Sequence, residues 1–202
     1  MNAILGLKAH SGWAALVVLG VEESSLHVVD RRRLELVEPD EAAWSKAPYH
    51  AAEGRPPDAA RDLVRRGVAA AQRIGRREMR TVLGRLEAAG HAAIACAVLV
   101  GEPMPAWSVD DILAVHFRMH RAEGALFQGV LAEGAGASGV RVVPVVAKHL
   151  AARAKAVFGR RSDEVLARIA ALRKTAGPPW GKDQKDAALA AAIAAKEGEG
   201  GS

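Results

Sequence analysis

The sequence predicts an α/β domain built around a mixed five-stranded sheet. Three apolar segments of strand length come first, and the rest of the chain alternates between helical periodicity and two further apolar runs. Strands joined by short turns pair antiparallel, whereas strands separated by a helix pair parallel. We therefore expect an antiparallel meander followed by helical crossovers, forming one domain at residues 1–196 with a disordered Gly-rich tail at 197–202.

The meander is predicted from residues 3–8, 13–20 and about 26–37. A tight turn ending at Gly12 separates the first two strands. The third strand alternates roughly between apolar and polar residues, which is typical of a sheet with one wetter face. Residues 39–57 are then a long connection whose aromatic residues either pack on the core or line a groove.

Helical spacing of apolar residues predicts a long helix from Asp58 to about Ala89, ended by Gly90. Ser108 and Asp111 have the spacing of a capping box and predict the start of a second helix, running to about residue 135. Continuous apolar runs predict buried strands at 92–100 and 140–146. Three more helices are predicted at 147–158, 162–175 and 182–196.

Charge and cysteine content restrict the classes of function. The chain carries 28 Lys plus Arg against 23 Asp plus Glu, a net charge of +5, and its pI is near 9.7. Residues 55–90 and 141–186 are the most basic stretches, which we interpret first as solvated helix faces and second as surfaces for nucleic acid. A lone cysteine, Cys96, makes no intramolecular disulfide, and no segment directs the chain to a membrane, so we expect a cytoplasmic protein.

Four short motifs occur in a characteristic order. Ile4-Leu5-Gly6-Leu7 is followed by Gly12-Trp13-Ala14-Ala15-Leu16, and Glu102 comes just after the apolar run that ends at Val100. The pair Asp183 and Asp186 then begins an alanine-rich helix. In order and approximate spacing these motifs resemble the RuvC-type Holliday-junction resolvases of the RNase H-like superfamily, a likeness that covers most of the chain except residues 39–90.

The resemblance implies a nuclease site, but with a change at its first acid. Glu102, Asp183 and Asp186 match the family's later acids, whereas Lys8 occupies the position of its strand-one aspartate. In the family these acids hold divalent metal, so a lysine removes a ligand and places a cation near the metal's position. We therefore expect a catalytically degenerate pseudo-nuclease that binds nucleic acid, with Lys8 and the three acids forming an ion network. No cofactor is expected in that case, and the resemblance also implies a homodimer.

Two alternatives remain open. In the first, the protein is a working Mg²⁺- or Mn²⁺-dependent endonuclease in which His10 replaces the missing ligand beside Glu102, Asp183 and Asp186. In the second, the protein is a non-enzymatic assembly module and its basic surfaces are incidental. If nucleic acid is the partner, DNA or RNA, the expected contact residues are Lys8, His10, Trp107, Lys148, Lys182 and Lys185.

A secondary polar cluster is predicted on the second long helix. His116, His120 and Glu123 are spaced i, i+4 and i+7, which places them on one face and imitates part of a zinc motif. The Glu that follows the first His in H-E-x-x-H is absent, and Arg118 and Arg121 lie close by in sequence. We therefore favour a polar helix face over a metal site for these residues. Trp107 is assigned to core packing slightly ahead of base stacking.

Overall fold

A computed structural model describes residues 1–22 and 25–199, and a five-stranded mixed sheet forms its central layer. The sheet order is β3-β2-β1-β4-β5, with the first three strands antiparallel and β1, β4 and β5 mutually parallel. This topology confirms the predicted α/β class and mixed sheet. The strands are β1 Asn2–His10, β2 Trp13–Glu22, β3 Ser25–Glu35, β4 Ala92–Val100 and β5 Arg141–Val146.

Nine α-helices are assigned within the described residues, with three short 3₁₀ turns at 39–41, 147–149 and 159–161. None of these described helices is both long and apolar enough to cross a membrane. The helices are α1 Ala42–Ser45, α2 Pro48–Ala52, α3 Pro57–Ala88, α4 Val109–Leu113, α5 His116–Gly136, α6 Leu150–Phe158, α7 Ser162–Ala171, α8 Arg173–Ala176 and α9 Lys182–Glu199.

Two hydrophobic cores lie on opposite faces of the sheet, because successive residues of a strand face opposite sides. On β1, Leu5 and Leu7 pack into the core covered by α3 and α5. Ile4 packs into the other core, which α6, α7 and α9 cover. Lys8 has the same parity as Ile4, so its side chain belongs to the face that α9 covers.

The backbone of α9 approaches β1 closely at Gly6. A Cβ atom added to Gly6 would lie 1.9 Å from the carbonyl oxygen of Ala187 and 3.2 Å from the Cβ of Ala191. The residues of α9 from Ala187 to Ala194 are all buried. The missing side chain of Gly6 and the small alanine side chains together let the helix backbone reach the strand.

Two predicted elements differ from the structure near the middle of the chain. The single helix expected to run from Ser108 to about residue 135 is two helices, because the chain leaves helical geometry at Val115, which has φ −140° and ψ 114°. The capping box that starts the first of them is confirmed, with the Ser108 side chain accepting a hydrogen bond from the Asp111 N–H. The connection at 39–57 also contains α1 and α2.

The last strand and the last helix also differ from prediction. β5 is an edge strand with alternating burial, and it contains Pro144. An edge strand tolerates proline, which has no N–H to donate to a neighbouring strand. β5 is therefore not the strand buried on both faces that its apolar run predicted. α9 continues to Glu199, three residues past the expected end of the domain, and residues 200–202 of the expected tail lie outside the described residues.

We predict that Gly6→Ala lowers the free energy of unfolding by about 1–3 kcal/mol, since the new methyl group forces α9 away from β1. Urea unfolding, monitored by circular dichroism, measures the change in the free energy of unfolding. Gly124→Ala is the matched control: this exposed glycine of α5 has open space around its Cα, and alanine there should stabilise by up to about 1 kcal/mol. Equal stability of Gly6→Ala and the parent protein would contradict the close packing.

Candidate functional site

The candidate site lies where the end of β1 meets the start of α9. Lys8 is near the carboxyl end of β1, and Asp183 and Asp186 belong to the first turns of α9. Residues three apart on a helix lie on the same side, so both carboxylates can approach the strand together. The free N–H groups and the dipole at a helix N-terminus favour ionised carboxylates there.

Lys8 bridges the two carboxylates of α9. Its Nζ lies 2.9 Å from Asp183 Oδ1 and 2.7 Å from Asp186 Oδ2. These side chains are only 19%, 29% and 19% exposed respectively, so the three charges are partly withdrawn from water. Lys182 Nζ also approaches Asp186 Oδ2, at 2.6 Å. His10 Nε2 lies 3.1 Å from Asp183 Oδ2, a close contact without the geometry of a directed hydrogen bond.

The bridge shifts the pKa values of Lys8 and Asp183 in opposite directions. Burial alone lowers the pKa of Lys8, but hydrogen bonds and attraction from Asp186 and Asp183 outweigh it and raise the net pKa above its usual range. Burial alone raises the pKa of Asp183, but the contacts with Lys8, and secondarily with His10, lower the net pKa. Both groups are therefore held in their charged forms by each other.

Glu102 lies apart from this bridge. It follows β4 in a loop, is exposed, and its Oε1 lies 3.0 Å from Lys148 Nζ and 3.2 Å from His149 Nε2. The hydrogen bond from Lys148 is the main cause that lowers the pKa of Glu102. The expected network of Lys8 with all three acids therefore forms only with Asp183 and Asp186, because Glu102 takes its partners from the 3₁₀ turn after β5.

The acids as arranged do not fit a divalent metal. Mg²⁺ requires several oxygen ligands in near-octahedral geometry, whereas the facing oxygens of Asp183 and Asp186 are occupied by the ammonium of Lys8. A metal would have to displace that ammonium and recruit Glu102 from its own ion pairs. Across residues 1–22 and 25–199, these acids and His10 do not form a group of three mutually close ligand atoms.

The predicted nucleic-acid contact residues are divided between exposed and covered positions. Lys182 and Lys185 are exposed on the first turn of α9, and Lys148 is exposed beside Glu102. Trp107 is half-buried in a small apolar cluster, and the guanidinium groups of Arg118 and Arg121 lie 4.9 and 5.6 Å from its ring. This placement supports packing rather than a free stacking surface for Trp107.

A histidine cluster is the feature that sequence reasoning missed. His116 and His120 lie on the first turns of α5, and His50 of α2 joins them. Glu123 does not belong to a solvated face, since it is buried and hydrogen-bonded to His50. No spacing in the sequence links His50 to a helix that begins 66 positions later. The only hint in the sequence is that His50 lies within the Pro-rich connection at 39–57.

No protein-family model matches the sequence, and no curated protein matches it. Among solved structures, the chain is similar to Thermus thermophilus RuvC, with 14% sequence identity and a TM-score of 0.55 over 98% of this chain and 96% of that one. It is also similar to T. thermophilus RuvC in complex with a Holliday junction substrate, with 13% identity and a TM-score of 0.54 over 100% and 97% of the chains. At these identities the likeness establishes a shared fold, the RNase H-like fold of RuvC type.

We predict that Lys8→Met lowers the free energy of unfolding at neutral pH by about 1–3 kcal/mol, because two close carboxylates lose their shared donor. The folded-state pKa of Asp183 is depressed, so its contribution is present above its ordinary value of about 4 and is lost as the pH falls through the folded value. The difference between Lys8→Met and the parent should therefore shrink in acid.

Urea unfolding at neutral pH and at several acid pH values measures this difference. Lys196→Met is the control, because Lys196 pairs with Glu199 on the surface and its loss should cost no more than about 1 kcal/mol. A Lys8→Met difference that stayed constant across the acid range would show that the carboxylates do not depend on the ammonium.

Proposed function

We propose that this chain is a RuvC-like protein that binds nucleic acid without metal-dependent hydrolysis at the ancestral acid site. The single observation that carries the proposal is the bridge from Lys8 to Asp183 and Asp186. Phosphodiester hydrolysis in metal nucleases needs cations that polarise the phosphate and lower the pKa of water. An ammonium supplies positive charge but no open coordination position, so it can bind a phosphate without activating water.

The charge of this edge favours an anionic partner. Lys8 and Lys182 balance the two carboxylates of α9, and Lys185 adds a further exposed positive charge on the same turn. Lys148 lies exposed at the segment after β5, where it balances Glu102. Since Lys and Arg contacts to phosphates supply most of the sequence-independent affinity for nucleic acid, these lysines need no metal to attract a phosphate backbone.

The choice of probe comes from the structural comparison. One T. thermophilus RuvC structure contains a Holliday junction substrate, and the two proteins share their fold over nearly their whole lengths. A four-way DNA junction is therefore the first ligand to try, with a plain duplex of the same length and an RNA duplex beside it. We extend the proposal to a homodimer in the cytoplasm. Light scattering of the purified protein would test the oligomeric state.

We predict that the protein binds junction or duplex with an affinity that falls steeply with salt and cuts neither in Mg²⁺ nor in Mn²⁺. A labelled substrate and a salt series of binding curves give both results in the same buffers. Metal-dependent cutting that is lost in Asp183→Asn and Asp186→Asn would instead support the endonuclease with His10 as a substitute ligand. Absence of both binding and cutting would favour an assembly module.

We predict that Lys182→Ala and Lys185→Ala each weaken binding and reduce the slope of log affinity against log salt by about 0.9 if each lysine contacts one phosphate of a duplex. Lys196→Ala is the matched control on the same helix. It removes the same charge 14 residues from Lys182, a rise of about 21 Å that exceeds the Debye length at physiological salt. Equal losses in all three variants would indicate only a diffuse charge effect.

We predict that Lys8→Asp gains a response to Mg²⁺ that the parent lacks. Three carboxylates then face one another without the ammonium that Asp183 and Asp186 shared, and Lys182 still contacts only Asp186. The variant should therefore be destabilised in metal-free buffer, and its melting temperature should rise with Mg²⁺. Mg²⁺ is used because imidazole groups elsewhere in the chain are poor ligands for it. A rise of the same size in the parent protein would show that the acids already hold metal.

A further inference from the structure

Three imidazole rings converge between α2 and the start of α5. The ring centroid of His50 lies 4.5 Å from that of His120 and 5.0 Å from that of His116. The ring centroids of His116 and His120 are 4.7 Å apart. His116 and His120 are one helical turn apart on α5, so they project from the same face. The third ring reaches them from α2, 66 positions earlier in the chain.

The nitrogen atoms of these rings have the spacing of metal ligands. One ring nitrogen from each histidine lies within 4.8 Å of the other two, and the Nε2 atoms of His116 and His120 are 3.1 Å apart. Two nitrogens bound tetrahedrally to Zn²⁺ at about 2.0–2.1 Å are separated by about 3.3 Å. Small side-chain rotations would therefore bring all three nitrogens to one ion.

A buried carboxylate fixes the orientation of the His50 ring. The Nδ1 of His50 lies 2.6 Å from Glu123 Oε2, and its backbone N–H donates to Glu123 Oε1 at 3.0 Å. Glu123 is 7% exposed, so this acceptor is fixed within the packed structure. With the proton on Nδ1, the Nε2 of His50 has a free lone pair, and this buried atom has no hydrogen-bond partner among the described residues.

We propose that His50, His116 and His120 form a binding site for a divalent transition-metal ion, with Zn²⁺ as the ion that the donors fit best. Three neutral imidazoles favour Zn²⁺, Co²⁺, Ni²⁺ and Cu²⁺ over Mg²⁺ and Ca²⁺, which require oxygen. Glu123 orients His50 through the second ring nitrogen, the arrangement by which carboxylates commonly position metal-bound histidines.

The site leaves a fourth ligand position on its solvent side. The side chain of His116 is 61% exposed, so water or another small ligand can reach an ion bound there. Glu53 Oε1 lies 3.7 Å from His116 Nδ1 and forms part of the rim of the cluster. An ion at this point would join α2 to α5 and thereby fix the connection between β3 and α3.

A simple hydrogen bond between His116 and His120 explains the three-histidine arrangement less completely than a bound cation does. That bond satisfies one pair of ring nitrogens at 3.1 Å but leaves the buried Nε2 of His50 unpaired, although burial of an unpaired polar atom is unfavourable. A bound cation satisfies all three nitrogens at once. The proposal involves neither Lys8 nor its carboxylates, and it stands whether or not the protein binds nucleic acid.

The test is calorimetric titration of the purified, chelator-treated full chain with Zn²⁺, followed by Co²⁺ with visible absorption spectroscopy. We expect one Zn²⁺ per chain and a four-coordinate Co²⁺ spectrum, and both should be lost in His116→Ala and in His120→Ala. His149→Ala is the matched control, because it removes an exposed histidine from the segment after β5. Absence of Zn²⁺ binding by the parent, or a loss in His149→Ala equal to that in His116→Ala, would overturn the proposal.

Glu123→Gln tests the positioning role of the carboxylate. Competition with a chromophoric chelator should show Zn²⁺ affinity about 10–100-fold lower than that of the parent, with the four-coordinate Co²⁺ spectrum retained. Circular dichroism confirms that each variant folds. Tight Zn²⁺ binding that persists in His116→Ala and His120→Ala would assign the ion to other residues and would refute the site.

Discussion

The contact between α9 and β1 is the constraint on which the rest of this structure depends. Gly6 has no side chain where the backbone of Ala187 approaches the strand, and the alanines that follow let the whole helix lie close to the sheet. Lys8 is two residues beyond Gly6 and faces the same side of the strand. The helix that packs on Gly6 therefore brings Asp186, which directly precedes Ala187, and Asp183, one turn earlier, onto the side chain of Lys8.

That packing creates an electrostatic requirement. Two carboxylates are drawn toward each other at the edge of a buried interface, and repulsion between them would oppose the seating of α9 unless a cation lies between them. A metal ion and a lysine are two chemically different solutions to the same requirement. In this chain the lysine is the solution, so the helix can pack on the sheet in the absence of metal, and the ammonium is first a structural element of the fold.

The parts of the site that could be predicted are those fixed by regular structure. β1 and α9 follow from an apolar run and an alanine-rich helix, and the resemblance placed Lys8 opposite Asp183 and Asp186. The position of Glu102 could not be obtained in this way, because it lies in a Pro-containing loop without periodicity, and its partners Lys148 and His149 come from a segment more than 40 positions later in the chain. His50 was missed for a related reason, since its contact with α5 depends on tertiary packing.

The carboxylate bridge at Lys8 and the histidine cluster lie on opposite sides of the sheet and offer different kinds of donor atom to a cation. The oxygen donors lie on α9, where an ammonium already satisfies them. Three imidazole donors lie on α2 and α5, which pack with α3 on the other side of the sheet, and there the buried Nε2 of His50 has no hydrogen-bond partner among the described residues. Hard cations prefer the first kind of donor and transition metals the second. The type of donor at each site, and the ammonium that already pairs the carboxylates, are therefore the basis on which we assign a transition metal to the histidines and no Mg²⁺ to α9.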